Sequence, residues 1–360
     1  MGSTGMTSGT GPDEDSDRRN VSDATGVVVL GACAAWSLIS AAVHGGRPEG
    51  VLLAVLAVAA GYAVGRIGGA LLPVAAPCAG ALAGVTLTLA VPRLAPGPQP
   101  LPPLGHAGAT AAVLTLSAGA ACCAAWSARS APLRLGLRAL ASGIAVTAAV
   151  LGSTSGFVLC TAVLLCSLAA AQVPRGVGIA GLAVVALAVT GLTWAVAAEA
   201  VPGGLGGWLE GQLTRQRVEL WHDALRLAGD DPALGVGPGR FGELGVPGGG
   251  VVLADGRPHS APLQQAAEQG IAGLLLLAAA FSWMLFALWR TRRPAPVALT
   301  AGATLTAVAA IAAVGNALSF TAVSVGAGLL AGLATARPLA PESSRDAEIP
   351  SRARDGHPVP

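Results

Sequence analysis

The chain has 360 residues, is 53% hydrophobic and 11% charged, and carries a mean hydropathy of +0.65 and a net charge of +2. These values exclude an ordinary soluble domain. So small a charge, without a basic run, also excludes a surface that tracks a nucleic-acid backbone, and no nucleic-acid partner is expected.

Residues 1–23 are polar, rich in Ser, Gly and Asp, and lack an apolar stretch of their own. They are expected to form a disordered cytoplasmic tail rather than a cleaved signal peptide. A window of about 19 residues, enough to cross the hydrocarbon layer, then picks out ten apolar segments. They are 24–43, 50–65, 69–91, 104–127, 137–152, 156–173, 177–198, 270–289, 296–314 and 317–335. Prolines between 96 and 103 keep the third and fourth segments from merging into one helix. Residues 338–360 are again polar and read as a second cytoplasmic tail.

Every basic residue apart from the five histidines is arginine, so arginine placement is the test of topology. With the N-terminus inside, the cytoplasmic side collects Arg18, Arg19, Arg66, Arg129, Arg134, Arg138, Arg175, Arg290, Arg292, Arg293 and Arg337. The short external loops keep Arg47 and Arg93, in accord with the retention of positive charge on the cytoplasmic side. Ten helices with both termini inside satisfy this asymmetry and place residues 199–269 outside. The six cysteines, Cys33, Cys78, Cys122, Cys123, Cys160 and Cys166, lie in apolar segments without metal-ligand spacing and read as small packing residues.

The long loop holds the polar chemistry. Residues 213–228 fit an amphipathic helix with Val218, Trp221, Leu225 and Ala228 on one face. Arg217 precedes Trp221 by one turn. It describes either a surface arginine lying over an indole or paired with Asp223 or Glu219, or a guanidinium presented to a phosphate. Gly235, Gly237 and Gly239 follow Pro232 closely and form either a tight structural turn or a set of backbone N–H groups open to an anion. No strand precedes them, so they are no dinucleotide fingerprint.

His259 precedes Ser260, an expected N-cap, and Pro262, which falls in the first turn of a helix continuing through Glu268 toward the eighth segment. The positive end of that helix keeps the imidazole neutral and able to act as a base. The plainer reading is an exposed loop histidine without a role, and His44, His106, His222 and His357 receive it. Glu268 either orients a partner or sits on a helix face. The loop has five arginines against nine acids, so any anion site must be local.

Taken together, Arg217-x-x-x-Trp221, the run from Asp231 through Pro-Ala-Leu-Gly-Val-Gly-Pro-Gly to Arg240 and Phe241, His259-Ser260, Leu263-Gln264, and Glu268-Gln-Gly270-Ile-Ala-Gly273 resemble the O-antigen ligase and polymerase family. The matched motifs cover about a sixth of the chain. The resemblance implies a multi-pass glycosyltransferase that needs no metal or cofactor. Such an enzyme moves a glycan from an undecaprenyl-diphosphate carrier to a glycan or lipid acceptor hydroxyl at the external face of the plasma membrane. It implies that His259 assists the attacking hydroxyl and Arg217 neutralises the departing diphosphate. Arg215, Arg240, Arg257, Trp221 and Glu268 are the further residues expected to meet diphosphate or glycan. Three positions depart from the family pattern. Ser260 stands where Asn is usual, Thr154-Ser155-Gly156 replaces a Ser-Arg-Gly, and Asn316 stands where an Asp is common.

The expectation is therefore an all-α, polytopic integral membrane protein with about ten transmembrane helices. Seven fall in 24–198 and three in 270–335, flanking an external loop domain with short helices. The alternatives are a catalytically reduced scaffold for cell-envelope polysaccharide assembly and, third, a small-solute transporter.

Overall fold

A computed structural model describes residues 12–90, 104–200, 215–244 and 258–337. Among these residues the protein is all-helical. The helices are α1 (Pro12–His44), α2 (Glu49–Leu71), α3 (Ala75–Ala90), α4 (Leu104–Ser127), α5 (Ala131–Val150), α6 (Thr154–Ala169), α7 (Arg175–Ala197), α8 (Arg215–Asp230), α9 (Phe241–Leu244), α10 (Ala261–Arg290), α11 (Ala295–Val314) and α12 (Thr321–Thr335). A 3₁₀ turn, Ala317–Ser319, precedes α12.

Seven of these helices are long and apolar enough to cross a membrane: α1 from Ser22, α2, α4 from Gly108, α5, α7, α10 and α11. The shorter apolar helices α3, α6 and α12 accompany them. A chain of this kind is membrane-embedded, because in hydrocarbon each backbone group must be satisfied within its own helix.

Several boundaries differ from the sequence expectation. Helix α1 begins at Pro12, so its first turns extend into the polar residues before the apolar segment. Helix α2 runs past Gly69 to Leu71, where Pro73 stops it by pushing Leu72 out of the helical region, to φ −131° and ψ 71°. The third segment accordingly starts at Ala75. The fifth begins six residues earlier than expected, at Ala131, with Pro132 in its first turn.

Helices α4 and α11 form the interior. In their apolar windows 94% and 83% of residues are buried, against 11–33% in the other five long helices. Helix α4 packs against α3, α5, α6, α11 and α12, while α11 also touches α7 and α10. Three of their hydroxyls fold back onto their own helices. Thr115 donates to Ala111 O at 2.7 Å, Ser117 to Val113 O at 2.9 Å and Thr304 to Thr300 O at 2.8 Å. These bonds let polar side chains sit in an apolar interior without lining a path through it. The outer helices expose Val27, Val150 and Leu187 at 74%, 80% and 71%, as a lipid-facing surface would.

The tightest pair is α2 with α12, and small residues make it so. A Cβ on Gly61 would lie 2.3 Å from Val325 O, and one on Gly65 2.2 Å from Leu329 O. From the other side, Gly328 and Gly332 meet Val58 O and Tyr62 O, each at 2.2 Å. The backbones touch, a packing that replaces the hydrophobic drive absent between helices in lipid. Gly65→Leu is expected to lower stability by about 3 kcal/mol, since backbone atoms cannot step aside. Gly31→Leu, at a position with nothing within 4 Å, is expected to change it little. Thermal unfolding midpoints of the two purified variants check this contrast.

Candidate functional site

Helix α8 lies outside the apolar helices and packs on α10 and α7. Its buried stripe is Arg217, Trp221, Ala224 and Leu227. Val218, Leu225 and Ala228, expected on that face, are half-buried at its edges. The helix is thus rotated so that Arg217, rather than Val218, points inward. The reason is electrostatic. Arg217 Nη1 donates to Val314 O at 3.2 Å, at the C-terminal end of α11, where carbonyls lack intrahelical partners and the helix dipole is negative.

Arg217 is 7% exposed and has no carboxylate partner among the described residues. Burial lowers the pKa of its guanidinium from the ordinary value. Asp223, one of the alternative partners for Arg217, pairs with Arg226, whose Nη2 is 3.6 Å from Asp223 Oδ1.

Trp221 is the hub between α8 and the residues before α10. Its Nε1 donates to Pro258 O at 2.7 Å, and its ring packs with Phe241, Leu263 and Ala267. The next residue, His259, is 9% exposed, so the reading of it as an exposed loop residue fails. Its φ of +48° places it in the left-handed region, which histidine enters at a cost of about 1–2 kcal/mol. The indole bond to Pro258 and the packing of Leu263 hold that reversal. Ser260 occupies the N-cap position of α10 but makes no capping bond with its side chain; its backbone oxygen accepts from Gln264 N at 2.8 Å. Pro262, at the start of the helix, removes one of the N–H groups a cap would satisfy.

Helix α10 does not continue smoothly into the apolar segment, as expected from sequence. It breaks at Gly270, which has φ +66° and ψ −166°. The break strands carbonyls on one side and amides on the other, and the glycine-rich turn takes them up. Val236 N donates to Ala267 O and Gly237 N to Glu268 O, both at 2.9 Å, while Ile271 N donates to Pro232 O at 2.8 Å. Helix α1 completes the set: Trp36 Nε1 donates to Gln269 O at 3.0 Å and Ser40 Oγ to Leu234 O at 2.9 Å. The turn is a clamp on a broken helix, and its Val236 and Gly237 amides are already engaged rather than open to an anion.

Asp231 initiates the clamp by accepting from Ala233 N and Leu234 N at 3.2 and 3.1 Å. His44, read from sequence as without a role, faces Asp231 with Nε2 3.5 Å from Oδ2. Arg240 turns to α1 and donates to His44 O at 2.6 Å, near the C-terminal end of that helix. This bond ties Arg240 to the end of α1. Glu268 is buried beside the break, with Oε1 accepting from Gln264 Nε2 at 3.2 Å. Arg257 lies outside the described residues. Arg215 opens α8, with its side chain outside them.

A cavity of about 220 Å³ lies where α4, α6, α7 and α11 meet. Gly108, Ser155, Val189, Val314 and Gly315 line it. It thus includes both the residue whose carbonyl receives Arg217 and the position, Ser155, where an arginine was expected by resemblance. The structure brings together Arg217 and Trp221 on one face of α8, Trp221 with the Pro258-His259 reversal, and Arg217 with Val314 of the cavity wall. It leaves Arg240 at the end of α1 and does not set His259 in the cavity wall.

Asn316 accepts a hydrogen bond from Ser319 Oγ in the turn that follows. Among the described residues no cluster of His, Cys, Asp and Glu could hold a metal ion. No family model, no curated protein and no solved structure matches the chain.

Proposed function

We propose that the protein is a membrane glycosyltransferase of the O-antigen ligase and polymerase type. It would transfer a glycan from an undecaprenyl-diphosphate carrier to an acceptor hydroxyl at the external face of the plasma membrane. The observation that carries the reading is Arg217, a buried cation with no carboxylate partner among the described residues, which donates to Val314 O, and Val314 also lines a cavity between apolar helices. An uncompensated buried charge is costly and marks a place where an anion binds. The motif order from Arg217 to Gly273 supports the same class.

In this reading the acceptor oxygen attacks the anomeric carbon and the bond from that carbon to the diphosphate breaks. His259 takes the acceptor proton, and undecaprenyl diphosphate leaves with its developing charge met by Arg217. Ten membrane crossings with both termini cytoplasmic would place α8 and the start of α10 outside, where lipid-linked glycans are polymerised or ligated. Arg215, Arg240 and Arg257 are the arginines of the loop that could replace the missing one at Ser155.

A second reading, a catalytically reduced scaffold for polysaccharide assembly, is favoured by a different observation. The amides of Val236 and Gly237 bond to carbonyls of the broken helix, and Arg240 Nη1 bonds to the end of α1. Deleting the gene and following surface polysaccharide and lipid-linked intermediates separates the two. The enzyme reading expects loss of the polymer, accumulation of the intermediates, and rescue by wild type but not by His259→Ala. Full rescue by His259→Ala, expressed at the wild-type level, would leave the scaffold.

A further inference from the structure

Trp221 is 1% exposed, so its indole offers no face to a glycan, the role the resemblance implied for it. Its polar atom has a different use. An indole N–H taken out of water needs an acceptor, and Trp221 Nε1 finds one in Pro258 O at 2.7 Å. The ring is held in place by the cluster it shares with Ala224, Leu227, Phe241, Leu263 and Ala267.

That bond fixes more than one carbonyl. The Pro258 oxygen and the His259 amide belong to one planar peptide unit, so anchoring the oxygen orients the plane from which the φ of His259 departs. The φ of Pro258 is already set by its ring. The reversal therefore falls on His259, at φ +48°, and the chain then runs through an extended Ser260, at φ −147° and ψ 114°, into α10. Histidine enters the left-handed region at a disadvantage of roughly five- to thirtyfold. A net hydrogen bond returns roughly two- to twelvefold. The two effects are of similar size, so the indole bond is large enough to decide whether the reversal is populated. A glycine would make the same turn without strain, yet the chain places an imidazole there. Strain of this kind persists where neighbours over-determine it, and it clusters at functional sites.

We propose that Trp221 is a positioning residue, which holds the His259 imidazole through the Pro258 carbonyl in the orientation that proton transfer requires. The use of the imidazole rests on the transfer reaction proposed above, in which His259 takes the acceptor proton as the acceptor oxygen bonds to the anomeric carbon and the diphosphate leaves. Its placement does not. Arg217, one turn before Trp221, donates to Val314 O at 3.2 Å, so α8 ties the cation to the end of α11 and the base to the start of α10. Trp221 is buried and touches no substrate. Loss of its N–H therefore acts on the chemical step, which is sensitive to small misplacements, and leaves donor binding alone.

The test replaces Trp221 in the full-length protein in bilayers, once by Phe and once by benzothienylalanine, which puts sulfur in place of the N–H at nearly the same shape. The first readout needs no transfer: the ring signals of isotope-labelled histidine by NMR, with that of His259 identified by its loss in His259→Ala. In both replacements the His259 signal is expected to move, and those of the other four histidines to stay. The second readout is transfer from the undecaprenyl-diphosphate-linked glycan, where kcat is expected to fall about a hundredfold with the donor KM within about twofold of wild type. Leu227→Ala, which loosens the same cluster without touching the bond, is expected to lower the thermal midpoint and leave the His259 signal in place. An unmoved His259 signal in the benzothienylalanine protein would overturn the proposal, as would a moved signal with kcat unchanged. A moved signal in a protein whose wild type transfers no glycan would uphold the placement and sink the reaction instead.

Discussion

Gly270→Val is expected to prevent accumulation of folded protein. The observed backbone, φ +66° with ψ −166°, falls in a region essentially confined to glycine, and another residue there costs about 1–3 kcal/mol. A Cβ would also lie 2.5 Å from Ala233 O and 2.6 Å from Pro232 O. Relief by moving the turn away would surrender the bonds from Val236 and Gly237 to Ala267 and Glu268, leaving carbonyls stranded beside an apolar bundle at about 1–3 kcal/mol each. Together these exceed a large part of ordinary stability. Gly229→Ala, at the end of α8 with nothing within 4 Å, is the matched control and is expected to accumulate normally. Size-exclusion profiles of the two variants from equal cell mass check the contrast. A monodisperse Gly270→Val protein at wild-type yield would show that the break is not required.

Arg217→Met is expected to separate stability from activity. Methionine replaces the long stem without the charge, and removal of a buried cation that has no carboxylate partner among the described residues returns its desolvation cost. The lost bond to Val314 O offsets part of that gain, so stability should stay within about 1 kcal/mol of wild type or rise. If the guanidinium exists to meet a departing diphosphate, transfer should nevertheless fall by about a hundredfold to a thousandfold, the usual effect of removing one preorganised group that stabilises developing charge. A packing role predicts the opposite pattern. Thermal midpoint and transfer rate, measured on the same preparation, distinguish them.

Much of the helical order was legible in the sequence, because hydrocarbon admits only helices here and long apolar runs announce them. The failures came where a local rule met a tertiary partner. Pro73 ended α2 later than the polarity pattern indicated, since α2 is held to Leu71 by its backbone contact with α12. Val218 lost the inward position to Arg217 because the carbonyl end of α11 lies under α8, a contact that periodicity cannot see. His44 gained a partner from Asp231, nearly two hundred residues away, as α1 closed on the clamp. The glycines at 235, 237 and 270 were legible as unusual but not as two halves of one device. Their pairing across the break, through Val236 N to Ala267 O and Gly237 N to Glu268 O, accounts for the two motifs lying together. The site's remaining legible part is Arg217 with Trp221, where spacing alone put a cation one turn from an anchor.

The most direct measurement is single-turnover transfer by purified protein in bilayers, with an undecaprenyl-diphosphate-linked glycan as donor and a glycan acceptor, following release of undecaprenyl diphosphate. Wild type is expected to form product, and Arg217→Met, folded and equally stable, to form little or none. Transfer by Arg217→Met at the wild-type rate would contradict the account.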